Sequence, residues 1–161
     1  MNSHISVSDN ETYSTIDEAF EKVFSSKNPR PMHGYFEPLP AFKGTEIEGC
    51  KIWFPKFKKK ASATDKAYNW LSKEGTEIME CLPSETIKKV GTKKITFAKF
   101  SSKAYKFIGI FALTKIDNDG RTLHHKRISD KCLIIKSVLS ATLAFALSLS
   151  LNACGAWATT A

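Results

Sequence analysis

The sequence predicts an α+β domain built on a curved antiparallel sheet or small β-barrel, with flanking helices and an apolar C-terminal tail. Three observations predict it. Ile16, Ala19, Phe20, Val23 and Phe24 fall at i, i+3, i+4, i+7 and i+8, one apolar helical stripe that needs a core beneath it. Short β-prone runs follow, at Ile52–Phe54, Ile95–Phe97 and Tyr105–Leu113, with turn residues between them. A helix first and strands afterwards argues for segregated layers rather than alternating βα units.

Taken in order, Met1 to Tyr13 is polar and reads as a frayed terminus. Ser14 or Thr15 can cap the helix, with Glu18 three residues after Thr15 as a capping box. Asn28 to Lys43 carries Pro29, Pro31, Pro38 and Pro40, so it reads as a surface loop pinned by Tyr35, Phe36 and Phe42. Ile47, Cys50, Ile52 and Phe54 read as the first strand, with a bulge at Glu48-Gly49. Ala67, Trp70 and Leu71 suggest a short helix ended by Ser72-Lys73-Glu74-Gly75. Glu77 to Leu82 suggests another helical turn, stopped by Pro83. Tyr105–Leu113 and Arg121–Ile128 read as a strand pair across Asp117-Asn118-Asp119-Gly120.

The 161 residues carry a formal charge of +8, which points to nucleic acid, an anionic membrane or an acidic protein as partner. Thr86 to Ile116 holds eight lysines and no acid, whereas a merely solvated face usually mixes signs. The four cysteines lack zinc-knuckle spacing and read as free thiols. No charged-then-apolar leader opens the chain.

Several enzymatic signatures are missing. No acid has a lysine two residues later, and no phosphate-binding glycine loop or Gly-x-Ser-x-Gly elbow occurs. Asp117 to Gly120 resembles part of a calcium loop, but Lys115 and Lys126 would stand at its first and last ligand positions. His124 and His125 would point to opposite faces of a strand and could not share a metal. The expectation is a protein that is not an enzyme, with no metal and no cofactor.

Lys51 to Lys60 interleaves Trp53, Phe54 and Phe57 with five lysines. Pro55 should end the strand there. Aromatic faces would then sit beside positive charge, as in proteins that stack a base and neutralise phosphate. The alternative is that Trp53 and Phe54 are core and the lysines a solvated rim.

Pieces of the chain resemble a known family when taken in order. They are Ile16–Phe24, Ile52-Trp53-Phe54-Pro55-Lys56, Leu71–Ile78, Ile95–Lys99, Tyr105–Phe111 and Lys126-Arg127-Ile128-Ser129. The series, over roughly Ile16 to Leu133, resembles the SRA-like (SET and RING associated) domain of the PvuRts-type modification-dependent restriction endonucleases. The resemblance implies an SRA/PUA-like sheet or barrel that binds double-stranded DNA and flips a modified cytosine, 5-hydroxymethyl or 5-methyl, into an aromatic-lined pocket. Base flipping costs a few kcal/mol, offset by stacking and edge hydrogen bonds. On this resemblance Trp53 is a pocket wall with Phe54 turned to the other face. Asn69 is a candidate for the base edge. Lys56, Lys126 and Arg127 are candidates for phosphate. The relatives carry a nuclease domain in the same chain, and none precedes residue 16. The expectation is therefore a recognition module without its own nuclease site, served by a separate nuclease subunit if it cuts at all.

The domain is expected over residues 14–135, and an apolar tail over 136–161. Ser137 to Ala161 has no charge, and Lys131 and Lys136 precede it. That pattern is a transmembrane candidate which would tether a cytoplasmic domain to the membrane. Leu151-Asn152-Ala153-Cys154-Gly155 also resembles a bacterial lipoprotein signal, as a fusion at this boundary would produce. Two other functions fit the charge: a small membrane-tethered basic interaction protein, and an RNA-binding PUA-like barrel.

Overall fold

The structure is a computed structural model that describes residues 3–57, 67–100 and 103–137. The described residues form one α-helix, α1 (Ile16–Phe24), and ten strands. The strands are β1 (His4–Ser6), β2 (Thr12–Tyr13), β3 (Tyr35–Phe36), β4 (Lys51–Trp53), β5 (Tyr68–Leu71), β6 (Glu77–Cys81), β7 (Lys93–Lys99), β8 (Tyr105–Ile116), β9 (Thr122–Ser129) and β10 (Lys131–Leu133). The larger sheet runs β3-β4-β7-β8-β9-β6-β5, with β2 paired to β8. Its order does not return on itself, so the described residues form an open sheet and not the closed barrel that was one expectation. Neither is it wholly antiparallel, because β4 runs parallel to β7. Flanking helices reduce to α1 and two short 3-10 turns. No helix among the described residues is long and apolar enough to cross a membrane, and the apolar tail lies outside them from residue 138.

Helix α1 forms where its stripe predicts. Thr15 Oγ1 accepts from the Glu18 N–H at 3.0 Å, and the Glu18 carboxylate reaches back to the Ser14 N–H at 2.6 Å. Its other oxygen takes Lys22 at 2.7 Å, one turn on. Ala19, Phe20, Val23 and Phe24 are buried. Phe20 stacks on Phe54 with ring centroids 6.0 Å apart, and Phe24 meets Phe97 edge-on at 6.1 Å. Ile52, Ile95, Phe36 and Phe42 complete this main core on one side of β4 and β7.

Several sequence expectations change. The N-terminus is not frayed: β1 pairs with β10, and Ile5 and Tyr13 are buried. Residues 43–49 form turns rather than a bulged strand, so the strand shortens to Lys51–Trp53. The two suggested helical pieces are instead the hairpin β5–β6, turning at Ser72 to Gly75. Gly75 has φ +72°, a conformation costly for a side chain, and the Ser72 hydroxyl accepts from the Thr76 and Glu77 N–H groups at 3.1 Å each. That turn chemistry outweighs the weak helical spacing of Ala67, Trp70 and Leu71. The Asp117–Gly120 hairpin forms as read, with β8 and β9 antiparallel.

Candidate nucleic-acid pocket on the inner face

Alternation along β4 sends neighbouring aromatics to opposite sides of the sheet. Phe54 joins the helix-side core, 5.0 Å from the Phe97 ring centroid. Trp53 joins a second buried cluster with Ile78, Ala98, Ile108 and Phe111. This second face is concave. The Trp53 and His125 ring centroids are 5.5 Å apart, although β7 and β8 lie between their strands. Three strand steps in a flat sheet would span about 14 Å.

The register lines this inner face. Tyr35 stands opposite Trp53 in the β3–β4 pair, Asn69 opposite Glu80 in β5–β6, and Ile78 opposite His125 in β6–β9. Lys94 lies two residues before Thr96, which pairs with Trp53, so it shares their side. Curling the sheet then brings Glu80 and Lys94 together.

A buried polar cluster results. Glu80 Oε2 accepts from Lys94 Nζ at 3.0 Å and from His125 Nε2 at 2.9 Å, while Oε1 accepts from Lys88 Nζ at 2.8 Å. Lys94 is fully buried and His125 is 1% exposed. Burial alone would raise the Glu80 pKa. The His125 hydrogen bond and the two ammonium groups outweigh it and hold the carboxyl below its usual range. Burial pushes Lys94 down to about 7, with Glu80 opposing and Lys88 adding to the shift. Burial likewise lowers His125. An ionised carboxylate can only accept, so His125 carries its hydrogen on Nε2 and leaves Nδ1 as a bare acceptor.

One carboxylate therefore faces two ammonium groups, and the aromatic rings take up the excess positive charge. Lys94 Nζ lies 4.0 Å from the Trp53 ring centroid and 5.2 Å from that of Tyr35, and Lys88 Nζ lies 4.9 Å from Tyr35. Two buried side-chain atoms in this region lack a hydrogen-bond partner among the described residues: Tyr35 Oη and His125 Nδ1. Burying an unpaired polar atom costs about 1–3 kcal/mol. The cluster thus sets a carboxylate, two ammonium groups and two unpartnered polar atoms beside the Trp53 and Tyr35 rings.

The predicted site residues distribute unevenly around this cluster. Trp53, Asn69 and Arg127 share the inner face by register. Arg127 packs its aliphatic stem against Gly109, where an added Cβ would come within 2.5 Å of Arg127 Cδ. Lys56 is exposed beyond the end of β4, its carbonyl 3.5 Å from Asn69 Nδ2. Lys126 points to the outer face, 4.0 Å from Glu77, beside a groove of about 520 Å³ that includes Trp70 and His124. His124 and His125 do face opposite ways: His124 bonds Asp117 at 3.0 Å outside, His125 bonds Glu80 inside.

Sequence reasoning missed Glu80, Lys88, Lys94, His125 and the polar end of Tyr35. Lys94 is hidden in a lysine run that reads as solvated. Its only local signal is alternation with Thr96 and Ala98 in a strand buried on both faces. Glu80 could be found only once Glu77–Cys81 is read as a strand, which sets it beside Ile78 on one face.

The chain matches the SET and RING associated domain family over residues 1–134. No curated protein matches it. Among solved structures it is similar to the 5-hydroxymethylcytosine-specific restriction enzyme AbaSI, with 26% identity and a TM-score of 0.61 over 83% of this chain. The match spans 43% of that enzyme's length. With its matched region reaching from β1 through β10, the chain belongs to the SET and RING associated domain family.

Proposed function

We propose that this chain recognises a modified cytosine in duplex DNA by drawing the base out of the stack onto the inner face of the sheet, without a nuclease site of its own. The observation that carries the reading is the ionised, buried Glu80 beside the Trp53 and Tyr35 rings. A carboxylate is the acceptor suited to the exocyclic amino group of cytosine. That edge is available only when the base leaves its pair. Trp53 supplies a stacking surface, and the Lys88 and Lys94 ammonium groups supply donors for the ring acceptors. At rest Lys94 occupies the space against Trp53, so its flexible stem swings aside as the base enters. Asn69 meets the base edge from the Glu80 side, and Lys56, Lys126 and Arg127 are phosphate contacts, with Lys126 the least favourably aimed. The family and the 5-hydroxymethylcytosine specificity of the AbaSI enzyme support the same substrate class.

The test is binding of the full chain to duplexes that differ only in plain, methylated or hydroxymethylated cytosine, with an RNA duplex beside them. Tighter binding to a modified DNA duplex is expected. Equal affinity for all three DNAs, or a preference for RNA, would overturn the reading.

A further inference from the structure

We propose that Phe100, backed by Phe57, is a positioning residue on which the extruded base stacks before it reaches Trp53. The inference rests on the base-reading function proposed above and names how the base gets in. Trp53 cannot receive a base directly. Its ring is 6% exposed, and the Lys94 ammonium lies over it, 4.0 Å from the centroid. Phe100 is 41% exposed. It follows Ala98 of the Trp53 cluster by two residues, so it carries the inner face beyond the end of β7.

The Phe57 and Phe100 rings are stacked, with centroids 5.9 Å apart and planes 26° from parallel. Phe57 packs in turn against the cluster that holds Trp53, Ala98 and Ile108. The two rings thus lead from solvent to the pocket wall. The backbone fixes them there: the Lys99 N–H donates to the Pro55 carbonyl at 3.1 Å, and the Phe57 N–H to the Lys99 carbonyl at 3.4 Å. Lys56 is exposed beside Phe57 and supplies positive charge for a nearby phosphate.

A base that leaves the duplex loses its stacking neighbours. An aromatic ring offers any base a face in their place. Phe100 holds the base while the Lys94 stem moves off the Trp53 ring. It therefore lowers the barrier between the stacked and the captured base, in both directions.

The experiment follows base extrusion by stopped flow in the full chain, with 2-aminopurine beside the modified cytosine of a duplex. Its emission rises as the neighbouring base leaves the stack, and a chase with unlabelled duplex reports the return. Phe100→Ala removes the ring, Phe100→Leu keeps apolar bulk without an aromatic face, and Phe100→Tyr keeps the face. Circular dichroism and melting confirm the fold, and if Phe100→Ala unfolds, Phe100→Leu decides. Phe100→Ala and Phe100→Leu are expected to slow extrusion and return by the same factor, about tenfold. Phe100→Tyr should match the unaltered chain in both. An extrusion rate unchanged in the folded variants overturns the inference and leaves base reading intact, whatever the return does. A Phe100→Leu protein as fast as the unaltered chain overturns it too, since bulk and not stacking would then be at work. An unaltered chain that binds plain and modified duplexes alike removes both readings.

Discussion

The Lys94 ammonium rests 4.0 Å from the centroid of the Trp53 ring, buried where the curled sheet closes over it. A cation in that position is held by the ring face and by Glu80 together. Glu80→Gln would take away the only carboxylate bonded to Lys94 and Lys88 among the described residues. Breaking a buried ion pair from one side costs about 3–5 kcal/mol. Urea unfolding should show a loss of that size. A loss below about 1 kcal/mol would mean that the cluster is far wetter than its burial indicates.

The same carboxyl sets the acid limit of stability. Its pKa is lower folded than unfolded, so its contribution is fully present above the ordinary value of 4.5. It is lost as pH falls below that value toward the folded one. Lys94 acts at the other end. Its folded value of about 7 lies below the ordinary 10.5, so the unfolded chain binds more protons between these values and stability rises with pH across that window. Melting temperature followed against pH should show both limbs. Lys94→Met should flatten the alkaline one.

Trp53→Ala removes a buried ring and, on the proposed function, the surface on which the base stacks. The cavity should cost about 3–5 kcal/mol of stability. Preference for the modified duplex should fall as well, since base–aromatic stacking is worth about 1–3 kcal/mol. Trp53→Phe should recover part of both. A folded Trp53→Ala protein with undiminished preference would place the base elsewhere.

Salt separates the lysines of Thr86–Ile116 into two kinds. Lys94 is fully buried and cannot reach phosphate in this conformation, whereas Lys89 is exposed beside Lys88 on the loop between β6 and β7. The log–log slope of affinity against salt should therefore lose about one unit in Lys89→Ala. Lys94→Met should leave that slope unchanged. A shallower slope in Lys94→Met would mean that the lysine leaves the pocket to meet the backbone.

Gly109 sits at a β8 irregularity with φ +128°. A Cβ there would lie 2.5 Å from Arg127 Cδ and 2.9 Å from the Ser129 carbonyl oxygen. The side chain can shift but the carbonyl cannot easily follow. Gly109→Ala should lower stability by about 1–3 kcal/mol, read as a lower melting temperature. Trimming Arg127 to alanine in the same protein should restore only part of it.

The main core was legible because its signals are local. The α1 stripe, the Thr15 and Glu18 cap and the Asp117–Gly120 turn each act within a few residues, and the opposed directions of Trp53 and Phe54 follow from the pleat. The polar cluster was not legible, because it depends on curvature. Glu80 and Lys94 are paired through a sheet that places β8 and β9 between their strands, and no spacing in the chain encodes that approach. The β5–β6 hairpin was misread for a related reason: Trp70 and Leu71 are only partly covered, so neither a helical nor an alternating period stands out.

The pairing of β1 with β10 has a kinetic consequence. His4 finds Leu133 as its partner, and β4 finds β7 in parallel, so the two ends of the matched region must meet before the fold is complete. Contacts so distant in sequence slow folding, because the intervening loop must close first. On the ribosome, at about 5–20 residues per second, β1 would wait on the order of 10 s for β10 to emerge. For that interval Ile5 lacks the strand that pairs with it in the folded domain, and its side chain stays open to water.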